Sequence, residues 1–218
     1  MSIKNYLKQS RESWYRLVSG KISEEIIVDT SGNLEYREWL LKEYPSAKVF
    51  SLTPEDAIRK DWNSGISQAY EYFYNIAKTI DCDYVLHTED DYILLNPLDI
   101  NDAIDILKSD SHIVQVHFIR QPWTKDESEN GGVLKNCQRM GSLMTQKDNG
   151  KSSWVEHRSY FTFGPSIYKK EICFTNRDLN NNPELALTHS LFLDPKNKTA
   201  TFGTIDDMHF VEHIGVEK

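Results

Sequence analysis

Apolar side chains recur at helical spacing from the start of the chain. Ile3, Tyr6, Leu7, Trp14, Leu17 and Val18 share one face of a 3.6-residue repeat, with Ser2 as an N-cap residue type. This spacing predicts a helix over 3–18. A β-branched run, Glu25-Ile-Ile-Val-Asp29, reads as a strand closed by turn residues Thr30-Ser-Gly-Asn33. A helix over 34–43 and a strand over 48–52 follow, with Pro45 at the turn between them. Ile66, Ala69, Tyr70, Phe73, Ile76, Ala77 and Ile80 line one face of a helix over about 63–80. Next come a strand over 83–88, a helix over 100–108 and a strand over 112–120.

Short strands alternating with helices point to βαβ units, hence an α/β fold with a mostly parallel sheet flanked by helices. Residues 121–153 turn polar and glycine-rich and read as a long irregular loop. Beyond it the pattern predicts a strand near 159–164 and a helix from about 183. Short segments at 200–204 and 208–213 form a smaller mixed β region towards the C-terminus. Nothing repeats, and 218 residues suit one domain over 1–218.

Composition narrows the function classes. Lys+Arg 25 against Asp+Glu 33 gives a formal charge of −8, which argues against a phosphate-backbone binder. Cys82, Cys137 and Cys173 are scattered, so a disulfide framework and a Cys-rich zinc site are both set aside. The first residues lack the apolar core of a signal peptide, and no run approaches the length of a membrane span. The expectation is a cytoplasmic protein.

The sharpest chemistry is Glu89-Asp90-Asp91, directly after the strand over 83–88. Ligands of open α/β sheets gather at the carboxyl ends of strands. Adjacent carboxylates repel one another unless a cation compensates them. In an extended segment Glu89 and Asp91 would face the same side. Their hard oxygens suit Mg²⁺ or Mn²⁺, ions that bridge to diphosphates. Near the C-terminus, even spacing in a strand would leave His209 and His213 on one face. His213 is the better ligand candidate because Gly215 allows close backbone approach, and imidazole beside carboxylate favours Mn²⁺.

With these residues in place, the chain resembles the GT-A glycosyltransferases, particularly the family-two-type nucleotide-sugar enzymes. Val28-Asp29-Thr-Ser-Gly matches their VDDGS-like turn, and Asn63-Ser-Gly-Ile66 opens a helix as theirs does. Glu89-Asp90-Asp91 is an EDD variant of their DxD motif, and His213-Ile-Gly215 resembles their late metal-binding histidine. The resemblance implies a GT-A-like, Rossmann-like domain with a nucleotide-sugar-binding half over 1–95 and an acceptor-binding half over 96–218. Asp29 would contact the base or ribose, with Asn63 beside the nucleotide. Glu89 and Asp90 would face the ribose and donor sugar, and Asp91 and His213 would ligate Mn²⁺ or Mg²⁺. Two departures stand out: this chain begins where the family's first helix begins, and Trp62 replaces an arginine that often precedes the Asn.

An inverting transferase needs a carboxylate to take the acceptor's proton. Glu184, behind Pro183 at a helix start, is the candidate, with Asp178 as runner-up. Trp123 and Trp154 flank the polar segment and are offered as ligand contacts. The function expected is transfer of a sugar from a nucleoside-diphosphate sugar, a UDP-sugar first, to an acceptor hydroxyl. A glycan, protein or lipid-linked acceptor is favoured over nucleic acid. The alternatives are a nucleotidyltransferase and a catalytically degenerate binding protein of the same fold.

Overall fold

The computed structural model describes residues 3–57, 62–175, 182–207 and 209–215, with backbone alone for 62–64. In chain order the elements are α1 (Ile3–Leu17), β1 (Val18–Ser19), β2 (Ile26–Asp29), α2 (Leu34–Glu43), β3 (Lys48–Ser51) and α3 (Trp62–Thr79). Next come β4 (Tyr84–His87), β5 (Tyr92–Leu94), β6 (Leu98–Asp99), α4 (Ile100–Ser109), β7 (Ile113–His117), α5 (Lys125–Glu129) and α6 (Val133–Arg139). The last are β8 (Met144–Asp148), β9 (Ser153–His157), β10 (Ser166–Lys169), a 3-10 helix (Lys170–Phe174), α7 (Pro183–Phe192), β11 (Lys198–Phe202) and β12 (Val211–His213). The chain divides into a first unit, Met1–Gly20, Cys82–Ile172 and Leu191–Lys218, and a second, Lys21–Asp81 and Cys173–Ser190.

The second unit holds one parallel strand pair, β2 with β3, in a register running from Ile26↔Lys48 to Asp29↔Ser51. The connection between them is α2, started by Asn33, whose side chain accepts the Tyr36 N–H at 3.0 Å. Leu40 of α2 and Tyr74 of α3 are fully buried, and Tyr70, Ile76 and Ala77 along the apolar face of α3 are nearly so. The helical spacing seen in the sequence thus does mark a buried stripe.

The first unit is built on a six-stranded sheet in the order β4-β10-β7-β11-β9-β8. It is mixed, which corrects the mostly parallel sheet expected: only β7 and β11 run parallel, and the other four pairings are antiparallel. The cause is the connections. A short turn joins β8 to β9 and forces them antiparallel, and β10 inserts antiparallel between β4 and β7. Nor is β11 part of a separate C-terminal β region, since it lies inside this sheet.

Residues 121–153, read from sequence as irregular loop, carry α5, α6, β8 and the start of β9. Thr124 and Glu127 form a full capping box at α5, a short-range device that a glycine-rich composition obscured.

The two faces of the large sheet differ sharply. On one, Val116, Phe118, Trp154, Ile167 and Ala200 pack in a core with Ile106 and Leu107 of α4 and Trp14 of α1. On the other lie Gln115, His117, His157, Ser166, Thr199 and Thr201, all buried. The segment 158–165 explains this polar face. Its main chain has no ladder, and the sheet's side chains satisfy it: Gln115 bonds both the N–H and the carbonyl of Thr162, and the Thr199 hydroxyl donates to the Tyr160 carbonyl. The alternating Tyr160-Phe-Thr-Phe163 looks like a strand for this reason and is none.

Candidate functional site

Helix α1 braces the site by acting on β5. Ser10 Oγ donates to the Tyr92 carbonyl at 2.7 Å and to the Glu89 carbonyl at 3.2 Å, while Trp14 Nε1 donates to Tyr92 O at 3.0 Å. The Leu94 N–H in turn donates to Ser13 Oγ at 2.9 Å. Three side chains of one helix face therefore satisfy β5 as a neighbouring strand would. Sequence reasoning missed this role, although Ser10, Ser13 and Trp14 sit at the three- and four-residue spacings that share a helix face.

On β5 the partner strand is β12, antiparallel, with His213 opposite Tyr92. One step further the Ile214 N–H donates to the Asp91 carbonyl at 2.8 Å. This register brings the side chains of Asp91 and His213 together, with Oδ2 and Nε2 2.9 Å apart. Both are mostly buried yet reachable, at 24 % and 16 % side-chain exposure. Gly215 completes the cradle: a Cβ there would stand 2.3 Å from Asp91 Oδ2, so any side chain would displace the carboxylate.

A separation of 2.9 Å serves a hydrogen bond or a shared ion. Two ligands at right angles around an octahedral ion, with bonds of about 2.1 Å, stand about 3 Å apart. His213 Nδ1 is buried without a hydrogen-bond partner among the described residues, a polar atom the chain leaves unsatisfied. Among the described residues no group of three His, Cys, Asp or Glu gathers around a point. Among the described residues the chain thus offers an ion here only this pair, and its remaining ligands would have to come from outside it.

Around the imidazole lie two aromatic rings, Tyr92 at 4.7 Å and Trp123 at 5.2 Å between centroids. Trp123 is half exposed, with the Arg120 guanidinium 3.9 Å from its ring centroid. Arg120 is held in turn by Glu127 through two 3.0 Å bonds. Burial alone would raise the Glu127 pKa, but the Arg120 hydrogen bonds and the Trp123 N–H hold it below the usual carboxylate range.

The other predicted residues fall as follows. Glu89 and Asp90 share the β4–β5 connection with Asp91, but Tyr92 N–H donating to Glu89 O makes that connection a turn. The strand alternation expected to align Glu89 with Asp91 therefore does not apply. Asp90 is exposed as a residue, yet protein around its carboxyl, and then the Asp91 charge, push its pKa up to about 6. His209 precedes β12 and shares no strand face with His213.

Asp29, Asn63 and Glu184 belong to the second unit. Asp29 ends β2 and is 5 % exposed; Oδ1 accepts the Ser31 N–H at 2.9 Å, and Oδ2 has no partner among the described residues. Asn63 opens α3, with its side chain outside the described residues. Glu184 is half-buried in the first turn of α7, and Asp178 lies outside the described residues. Trp154, proposed as a ligand contact, is instead a core residue at 5 % exposure.

None of the three cysteines is in a disulfide, and among the described residues no helix is long and apolar enough to cross a membrane. No family model and no curated protein matches the sequence. Among solved structures the chain is similar to CMP:2-keto-3-deoxy-manno-octonic acid synthetase complexed with CTP, at 9 % identity and a TM-score of 0.49, over 91 % of this chain and 78 % of that one. A likeness at that level carries no assignment of activity, which rests on the residues themselves.

Proposed function

We propose that this chain is a metal-dependent glycosyltransferase that moves a sugar from a nucleoside-diphosphate sugar, a UDP-sugar first, to an acceptor hydroxyl with inversion. The observation that carries this reading is the Asp91–His213 pair at 2.9 Å, set just past the carboxyl end of β4 and cradled by Gly215. Asp91 and His213 would hold Mn²⁺ or Mg²⁺, and the ion would supply positive charge against that developing on the departing nucleoside diphosphate. Glu89 and Asp90 face the ribose and the donor sugar. Asp29, with an unsatisfied buried oxygen, accepts a hydrogen bond from ribose or base, and Asn63 lies beside the nucleotide. Glu184 takes the proton of the acceptor hydroxyl. A formal charge of −8 favours a glycan, protein or lipid-linked acceptor over a nucleic acid.

The test is a thermal-shift panel of UDP, GDP, CDP and dTDP, each with Mn²⁺, Mg²⁺ or EDTA. A ligand at a hundred times its dissociation constant stabilises the fold by about 2.7 kcal/mol. One nucleotide that raises the midpoint only with metal is the expected result and names the donor class. No shift with any of them overturns the reading. Incubation with CTP or UTP and free sugars separates the alternative, since pyrophosphate release assigns nucleotidyl transfer instead.

A further inference from the structure

The His213 main chain is held in an unusual way. Segment 119–120 runs beside β12 as a short parallel ladder: Val211 N–H donates to the Ile119 carbonyl at 3.1 Å, and Arg120 bridges Val211 in parallel. Continued by one step, that ladder would bond the His213 N–H to the Gln121 carbonyl and the Trp123 N–H to the His213 carbonyl. Neither bond forms. The Gln121 carbonyl accepts from Arg120 at 2.8 Å, and the Trp123 N–H donates to Glu127 Oε2 at 2.7 Å. Between them Pro122 has no N–H to offer.

The side chain of Gln121 takes both vacated places. Its Oε1 accepts the His213 N–H at 2.9 Å, and its Nε2 donates to the His213 carbonyl at 3.0 Å. A primary amide carries the same donor and acceptor as a peptide group, so Gln121 acts as a detached piece of strand. We propose that Gln121 is the positioning residue of the candidate metal site, fixing the main chain of His213 so that its imidazole meets Asp91. The Arg120–Glu127 pair turns the main-chain groups away and leaves the task to this one side chain. Leu and Met fill similar volume without the amide, and Asn is too short to span both groups.

The proposal rests on the metal-binding reading for one of its readouts and is independent of it for the other. The first is Mn²⁺ titration followed by electron paramagnetic resonance on wild type, Gln121→Leu and Asp91→Ala, with circular dichroism melting of each. Loss of a group that orients a metal ligand weakens affinity by about 10- to 100-fold. The expected result is at least a tenfold rise in the Mn²⁺ dissociation constant for Gln121→Leu, with a folded protein. Wild-type affinity in folded Gln121→Leu overturns the proposal. Equal affinity in wild type and Asp91→Ala sinks the metal reading and leaves the second readout to decide.

That readout is the ¹⁵N resonances of the His213 ring, recorded with EDTA and without metal. In Gln121→Leu the ring nitrogen facing Asp91 is expected to shift as its hydrogen bond loosens, and an unchanged ring overturns the role of Gln121. If Gln121→Leu does not fold, Gln121→Glu carries this measurement. It keeps an acceptor for the His213 N–H and replaces the donor to the His213 carbonyl by a repelling oxygen, so a shift of the ring nitrogen facing Asp91 is expected and none overturns the proposal.

Discussion

Two aspartate–histidine pairs of nearly equal length lie in the first unit, Asp91–His213 at 2.9 Å and Asp110–His112 at 3.0 Å. Their surroundings set them apart. Asp110 also meets Lys198 at 2.8 Å, and that hydrogen bond, with the His112 N–H, holds its carboxyl well below the usual range. A lysine ammonium already supplies the cation there. Among the described residues no lysine or arginine pairs with Asp91, and two aromatic rings, Tyr92 and Trp123, flank the His213 imidazole. The two pairs thus share a local geometry and differ in that, among the described residues, only Asp110 has a lysine partner.

The buried histidines supply a third environment. Burial lowers the pKa of His87 and His157 to about 4, and burial with His157 and Arg120 nearby takes His117 to about 3. His157 sits in a fixed polar frame, with Nδ1 accepting the Ser159 N–H at 3.3 Å and Nε2 3.0 Å from Thr201 Oγ1. A neutral imidazole suits this polar layer, where it packs beneath 158–165 and carries no charge to be solvated.

The largest effect expected is on the first pair. Asp91→Ala and His213→Ala should abolish the metal-dependent nucleotide shift, by at least 100-fold in affinity, while Asp110→Ala leaves it unchanged; calorimetric titration reads all three. If Asp110→Ala were as damaging, the contrast between the pairs would collapse.

Acid comes next. The folded pKa values of His87 and His157 lie below the ordinary 6.5, so between pH 6.5 and 4 the unfolded chain binds protons that the folded one refuses. Stability is whole above pH 6.5 and falls as pH drops to about 4, by about 3 kcal/mol for each group at about 1.4 kcal/mol per pKa unit. Asp110, depressed below its ordinary value, adds its loss only below about pH 4. Urea melts from pH 7.5 to 4 should show the first window, and a flat profile would contradict neutral buried imidazoles.

Lys198→Met probes the resident cation directly. It leaves the Asp110 and Glu156 carboxylates without their shared partner and should lower stability by about 2 kcal/mol, less than a fully buried pair because the ammonium is part exposed. Ser13→Ala removes the acceptor of the Leu94 N–H beneath the site, an expected loss of about 1–2 kcal/mol in denaturant melts. Smallest is Lys125→Ala, which breaks an exposed helix pair with Glu129 and should change the same melts by no more than about 0.5 kcal/mol.

Much of the secondary structure was legible because it follows from local rules. The helices α1, α2, α3 and α4 and the strands β2, β3, β4 and β7 stand within a residue or three of their predicted places, since periodic burial and caps act over a few residues. The segment 158–165 was not legible. Its alternating aromatics mimic a strand, and only the polar face beneath it provides other partners for its main chain. The polar composition of 121–153 likewise hid α5 and α6, because a five-residue and a seven-residue helix have too few turns to show a period.

By itself the sequence determined the periodic elements, the acidic turn after the β4 strand and the candidacy of His213 beside Gly215. The strand order, the mixed direction of the large sheet and the meeting of Asp91 with His213 were decided by tertiary structure alone. The reason is the range over which each is set. Helix and strand periods arise between neighbours a few residues apart, whereas the Asp91–His213 contact depends on the β5–β12 register, on Ser10, Ser13 and Trp14 of α1, and on Gln121 standing in for a peptide. Those partners come from four separate stretches of chain, and no local pattern specifies that they pair.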